Sequence, residues 1–109
     1  MPLESISTLQ RDKQGYLKNS ADWTEAIANA IAKEEEMVLT PEHWLVINTL
    51  RTFYFTHQSL PSMRVLITLL SEKMDAEKNN SLYLQSLFPK GLMRQASKVG
   101  GLPKPVRCI

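Results

Sequence analysis

Short apolar stripes with helical spacing occupy most of the chain between residues 22 and 99, and this pattern is the strongest constraint on its fold. The first stripe follows Asp22 and Glu25, which have the spacing of a capping box. Together they predict a first helix over residues 22–36. A chain built from such stripes must bury them against one another, so we expect a small helical domain.

Further helix starts follow at regular intervals. Thr40 is a good N-cap residue, and Pro41 occupies the first helical position, where its missing N–H costs no helical hydrogen bond. These two residues predict a second helix that ends near His57. Comparable signals predict helices over residues 63–74, 82–88 and 92–99.

Two short apolar segments before the first helix are typical of strands. They cover residues 6–9 and 16–17 and flank the turn-prone residues 12–15, so they predict a small β-hairpin. The expected fold class is therefore mostly α (α+β), with a small N-terminal β-hairpin, a bundle of about five helices and a flexible C-terminal arm.

The last ten residues differ in composition from everything before them. Adjacent glycines predict a hinge, and two prolines hold the following residues extended. The residues that give the segment these properties are Gly100, Gly101, Pro103 and Pro105. We therefore expect one helical domain with its hairpin over residues 1–99 and a flexible arm over residues 100–109. The arm carries Cys108 and is not expected to be needed in the core.

Length and cysteine content narrow the possible functions. The chain has 109 residues, which is enough for one modest core. Its single cysteine, Cys108, can form neither an internal disulfide nor a thiolate metal site, and we expect no cofactor. A lone thiol is typical of a reducing compartment. The N-terminus shows no basic stretch followed by an apolar run, and no apolar run approaches bilayer length. We therefore expect a cytoplasmic protein without membrane contact.

The net charge of +2 is unevenly distributed. Residues 1–89 contain eight Lys and Arg against eleven Asp and Glu, whereas residues 90–109 contain five basic side chains and no acidic one. This asymmetry favours an anionic partner at the C-terminal end, although a solvated basic helix face would give the same count.

The thiol of Cys108 is the most reactive group of the arm. An ordinary cysteine is about 3% thiolate at pH 7, and nearby cations raise that fraction. Lys104 and Arg107 are the cations in range, so they are candidates for thiolate bias and docking. A thiol that accepts sulfur and then releases it should be nucleophilic without being a very stable thiolate.

Several short motifs resemble the TusE/DsrC family. They are Gly15-Tyr16-Leu17, Leu39-Thr40-Pro41-Glu42-His43-Trp44, Asn80-Ser81-x-Tyr83-Leu84, Phe88-Pro89-Lys90-Gly91 and the tail Leu102-Pro103-Lys104-Pro105-Val106-Arg107-Cys108-Ile109. Their order and spacing extend over nearly the whole chain from about residue 12. The resemblance implies a small helical domain with an N-terminal hairpin, and a flexible arm on which Cys108 is the reactive residue and forms a persulfide intermediate.

One position separates the two branches of that family. The branch that partners dissimilatory sulfite reductase has a second redox cysteine ahead of the terminal one, and the matching residue here is Ser97. The chain is therefore similar to the TusE branch of sulfurtransferases. That branch implies a TusBCD-like relay as the sulfur donor. It implies an MnmA-like tRNA thiouridylase as the acceptor, with or without bound tRNA, in 2-thiouridine formation at the wobble position.

Two other functional classes stay open from the residues. A helix-turn-helix nucleic-acid binder is allowed by a turn near residues 59–61, but the helix after it offers few cations. A purely structural adaptor would leave Cys108 without a role. Among other conspicuous residues, His43 is expected to cap the second helix or to lie on the surface, and Trp23 and Trp44 are expected to line the core or a groove.

Overall fold

The computed structural model describes residues 11–75 and 77–104. Within them the chain forms a 3₁₀ turn, Ser20–Asp22, followed by five α-helices, so the predicted mostly helical fold and helix number are confirmed. The helices are α1 (Glu25–Glu34), α2 (Pro41–His57), α3 (Met63–Leu70), α4 (Ser81–Leu87) and α5 (Leu92–Val99).

The predicted hairpin is not supported by the structure. Residues 12–15 form a turn in which the Asp12 side chain accepts hydrogen bonds from the N–H groups of Gln14 and Tyr16. Beyond this turn, Arg11 and Leu17 form one isolated antiparallel bridge, and no strand occurs in the described residues. The other predicted strand, over residues 6–9, lies outside them.

The first helix begins later than the capping-box spacing predicts. Asp22 belongs to the preceding 3₁₀ turn, and Thr24 is the N-cap, its side chain accepting a hydrogen bond from the N–H of Ile27. The helix ends at Glu34 because Glu36 turns into the left-handed region at φ 62°. The N–H of the next residue, Met37, bonds back to the carbonyl of Ala32, which closes the helix end.

The second helix matches its sequence signals. Thr40 caps it, Pro41 begins it and it ends at His57. His43 completes a capping box, since its Nδ1 accepts the Thr40 N–H at 3.0 Å. The other ring nitrogen, Nε2, therefore carries the proton and donates to the Leu87 carbonyl at 2.7 Å. Both polar atoms of this buried imidazole are satisfied, and the ring ties α2 to the end of α4.

The third helix ends at Leu70, four residues before its predicted end. The N–H groups of Lys73 and Met74 bond the Leu70 carbonyl in a closing turn. The continued apolar pattern gave no signal for this stop. Leu66 and Leu70 are fully buried, whereas Leu69, whose place in the apolar run predicts an inward side chain, is 38% exposed.

The last helix lies at the centre of the domain. It packs against α1, α2 and α4, while α3 packs against α2. Leu92, Ala96 and Val99 of α5 are buried in the common core. Trp23 and Trp44 pack against that core as expected. No helix in the described part of the chain is both long and apolar enough to cross a membrane. Because α5 packs against three other helices, its end is held in place where the C-terminal segment begins.

Candidate functional site at the root of the C-terminal segment

The C-terminal end of α5 is closed by a compact turn. Gly101 adopts the left-handed conformation at φ 69°, and its N–H bonds the Lys98 carbonyl. The N–H of Leu102 then bonds the Ser97 carbonyl at 2.9 Å, the pattern of a Schellman motif. The Leu102 side chain is completely buried in the core. This turn fastens the first residues of the C-terminal segment to the domain.

Trp23 covers one side of this turn. Its indole Nε1–H donates to the Val99 carbonyl at 2.8 Å. A Cβ atom placed on Gly101 would lie 2.5 Å from Cδ1 of the same ring. Only glycine therefore fits at position 101, both for its backbone conformation and for the space that Trp23 leaves.

Arg51 of α2 reaches the same turn from the other side. Its Nη1 donates to the Gly100 carbonyl at 2.6 Å, and its guanidinium lies 4.0 Å from the centre of the Trp23 ring. Burial lowers the pKa of Arg51 from its ordinary value. A cation over an indole face is a favourable electrostatic contact, and it is stronger away from water.

The residues predicted to form the arm fall into three groups. Gly100 and Gly101 are buried against the domain, so in this structure they do not form the expected open hinge. Pro103 and Lys104 are exposed. The remaining predicted residues, Pro105, Arg107 and Cys108, lie outside the described part of the chain. The structure therefore describes the residues at which the predicted arm begins, but not the position of the Cys108 thiol.

Ser97 lies inside the domain. It is fully buried on α5, and its hydroxyl has no hydrogen-bond partner within residues 11–75 and 77–104. A buried hydroxyl without a partner destabilises the folded state. The position predicted to separate the two family branches is therefore enclosed beneath the turn that follows α5.

A basic cleft of about 210 Å³ lies along α5. Its central contact is an ion pair in which the Lys98 ammonium donates to a Glu35 carboxylate oxygen at 2.7 Å. Gln95 donates to the other Glu35 oxygen at 3.0 Å. The hydrogen bond from Lys98 is the largest cause that lowers the pKa of Glu35, and the hydrogen bond from Gln95 is the second. The lining residues are Gln14, Tyr16, Glu35, Lys90, Arg94, Gln95 and Lys98.

Tyr16 forms the floor of this cleft. Its hydroxyl donates to the Arg94 carbonyl at 3.1 Å, and burial is the main cause that raises the pKa of the phenol. The side chains of Lys90 and Arg94 are exposed at the rim. The predicted basic character of the C-terminal fifth is thus displayed on α5 itself.

Sequence reasoning did not single out Arg51. The residue stands in a helix whose apolar stripe includes Ile47, Leu50 and Tyr54, and an arginine there looks like an ordinary surface position. Its one available signal was its place directly beside the buried Leu50. No group of three potential metal-ligating His, Cys, Asp or Glu side chains occurs in the part of the chain that the structure describes.

Comparisons with known proteins agree with this architecture. The sulfurtransferase TusE of Photorhabdus laumondii is 52% identical over 101 residues, which cover 93% of this chain and 91% of that protein. TusE of Escherichia coli K12 is 46% identical over 101 residues, covering 93% of each.

Solved structures give the same result. The NMR structure of Allochromatium vinosum DsrC has a TM-score of 0.81 and 44% identity, covering 93% of this chain and 90% of that one. The oxidized γ-subunit of dissimilatory sulfite reductase, DsrC, from Archaeoglobus fulgidus has a TM-score of 0.83 and 32% identity, covering 93% and 92%. The family model described as DsrC like protein matches residues 5–109. The chain therefore belongs to the DsrC-like family.

Proposed function

We propose that this chain is a sulfurtransferase that works as a sulfur carrier, with Cys108 accepting and donating the sulfur. The observation that carries the proposal is that Cys108 is the only cysteine of a chain whose close relatives are named sulfurtransferases. It stands six residues beyond Leu102, which is fully buried. Six extended residues span roughly 19 Å, so a thiol there can reach a partner's active site.

The transfer needs no external oxidant. The Cys108 thiolate attacks the terminal sulfur of a donor persulfide, so that an S–S bond forms on Cys108 while the donor S–S bond breaks. The donor leaves as a thiolate, and the proton balance is unchanged. An acceptor thiolate then takes the same sulfur from Cys108 by the reverse of this exchange.

The proposed partners follow from the TusE-like branch. A TusBCD-like relay supplies the persulfide, and an MnmA-like tRNA thiouridylase, with or without bound tRNA, receives it for 2-thiouridine formation. A lone thiol of this kind suits the reducing cytoplasm. In this scheme Lys104 and Arg107 bias the thiol toward thiolate and contribute to docking on anionic groups. We place the start of the free arm at Pro103, after the buried Leu102.

A redox role beside dissimilatory sulfite reductase is the second candidate, because the DsrC structures share the fold. In the DsrC branch, which this chain resembles less than the TusE branch, the redox role uses two thiols. Ser97 supplies no thiol, and its hydroxyl is enclosed in the domain. One-thiol carriage therefore accounts better for this chain.

The experiment is intact-mass measurement after incubation with a small persulfide donor. The wild-type protein should gain about 32 Da, one sulfur atom, and lose it on reduction. The Cys108→Ser variant should gain nothing. A reducible gain of the same size in that variant would contradict the assignment of Cys108.

A relocated thiol provides the matched control for the arm. Ser59 is exposed in the loop between α2 and α3, so the double variant Cys108→Ser/Ser59→Cys keeps one accessible thiol on the domain. It should load from the small donor yet fail to pass sulfur to a protein acceptor. Transfer at the wild-type rate would show that the arm is unnecessary.

A further inference from the structure

The backbone at the root of the arm is held by side chains from two distant parts of the chain. Trp23 precedes α1 and bonds the Val99 carbonyl at 2.8 Å, while Arg51 in the middle of α2 bonds the Gly100 carbonyl at 2.6 Å. These two carbonyls belong to consecutive residues. Two successive peptide planes are therefore fixed from outside the helix that precedes them.

The two side chains also hold each other in place. The Arg51 guanidinium lies 4.0 Å from the centre of the Trp23 ring and 5.0 Å from that of Phe55. None of the ion pairs found between residues 11 and 104, apart from the undescribed residue 76, involves Arg51. Its charge is directed to a main-chain carbonyl and to the aromatic rings of Trp23 and Phe55.

Packing alone would not require this arrangement. The buried Leu102 side chain already anchors the segment, and its N–H already closes the α5 turn on Ser97. The bonds to the carbonyls of Val99 and Gly100 additionally restrict the direction in which the arm leaves the domain. A sulfur at the end of a 19 Å arm moves by about 10 Å when the root turns by roughly 30°, and errors far smaller than this impair a reaction between positioned groups.

We propose that Trp23 and Arg51 form a clamp that sets the direction in which the arm leaves the domain, and that Arg51 is a positioning residue for sulfur transfer. The inference rests on the proposed function only in taking Cys108 as the carrier thiol. Arg51 does not touch the transferred sulfur. It limits the region around the domain that the thiol can visit.

The direct test places a nitroxide on Cys108, which the single cysteine makes site-specific. Paramagnetic broadening of backbone amide signals then maps the region that the arm visits. In the wild-type protein the broadening should be confined to one contiguous face of the domain. In Arg51→Met, which keeps the length but loses the donors and the charge, the broadening should spread and weaken. Uniform broadening in the wild type would overturn the clamp.

Two companion variants separate positioning from folding. Trp23→Phe keeps an aromatic ring but removes the N–H that bonds Val99, and should give a smaller change in the same direction. Arg64→Met removes an exposed arginine of α3 and should leave the wild-type pattern. A lowered melting temperature in Arg51→Met with the wild-type broadening pattern would mean that Arg51 is merely structural, and the proposal would fail.

Sulfur transfer supplies the second readout. Loading of Arg51→Met from a small persulfide donor should match the wild type, because a freely diffusing reagent does not depend on the direction in which the arm leaves the domain. Transfer to a protein acceptor should fall about tenfold or more, mainly in kcat. An unchanged transfer rate would overturn the proposal. If wild-type Cys108 cannot be loaded, the carrier function fails, while the nitroxide map still decides whether the clamp exists.

Discussion

The indole N–H of Trp23 donates a 2.8 Å hydrogen bond to the carbonyl of Val99, and this bond joins the segment before α1 to the end of α5. The two residues are 76 positions apart in the sequence. The bond closes the domain at the point where the C-terminal segment departs. This tertiary contact and the buried Leu102 side chain place the residues up to Leu102 with the helical domain.

Two truncations test this boundary. Ending the chain after Leu102 should leave the free energy of unfolding nearly unchanged, because Pro103 and Lys104 are exposed. Ending it after Val99 should lower that free energy by about 3 kcal/mol, since a completely buried leucine and its turn are lost. Urea denaturation of both proteins gives the comparison, and each controls for the other because both lack Cys108. Equal stabilities would place the boundary before Gly100.

Gly101→Ala should destabilise the domain more than Gly91→Ala. Both glycines have positive φ, so both substitutions cost about 1 kcal/mol or more in backbone strain. At Gly101 the new methyl group would also meet Trp23 at 2.5 Å, whereas at Gly91 the nearest atom is an Arg94 side-chain carbon at 3.5 Å. Melting temperatures measure the difference. A Gly101→Ala protein as stable as Gly91→Ala would show that the ring moves aside cheaply.

Ser97→Cys should stabilise the domain by about 1 kcal/mol. The replacement removes a buried hydroxyl that lacks a partner among residues 11–75 and 77–104, and puts a small apolar group in its place. In native protein the new thiol should react with an alkylating reagent far more slowly than Cys108, because it is enclosed. Intact mass during alkylation counts the fast and slow thiols. Two equally fast thiols would mean that the end of α5 opens readily.

Glu35→Gln should weaken the domain in a pH-dependent manner. The hydrogen bonds from Lys98 and Gln95 lower the pKa of Glu35 in the folded state. A lowered folded pKa stabilises the protein above the unfolded pKa, and the stabilisation is lost as the pH falls through the folded pKa. We expect the unfolding free energy of the wild type to exceed that of Glu35→Gln by about 1 kcal/mol at neutral pH, and the difference to disappear as the pH falls through the folded pKa of Glu35.

The control for this prediction is Glu36→Gln. Glu36 is the exposed neighbour of Glu35, so its substitution should give no comparable pH-dependent difference. Unfolding free energies measured across the acid range compare the three proteins. A constant gap between wild type and Glu35→Gln at all pH values would contradict the role assigned to the carboxylate.

Local signals predicted the helices where they were unambiguous. Thr40 and Pro41 fixed the start of α2, and His43 was correctly expected to cap it. The start of α1 was misplaced because Asp22 and Thr24 are both good caps, and the 3₁₀ turn before α1 leaves only Thr24 in position. The end of α3 was misplaced because Met74, four residues after the buried Leu70, continued the helical apolar spacing although the helix ends at Leu70.

The root of the arm was the least predictable part. Gly100 and Gly101 suggested freedom from their composition, but glycine also fits a tight helix ending against an aromatic ring. The choice between the two depends on Trp23 and Arg51, which approach from far along the chain. No local pattern contains that contact. The family resemblance, in contrast, was readable from short ordered motifs and is confirmed by the relatives.

On the proposal that Cys108 carries the sulfur, the anchoring of Leu102 sets the local concentration of its thiol. With only five residues between that anchor and Cys108, a partner that holds the domain would confine the sulfur to a small volume beside its own active site. Short tethers of this kind give effective concentrations in the millimolar range or above. A weak and brief encounter between the domain and its partner would then be enough for rapid transfer, and the emptied carrier could leave without delay.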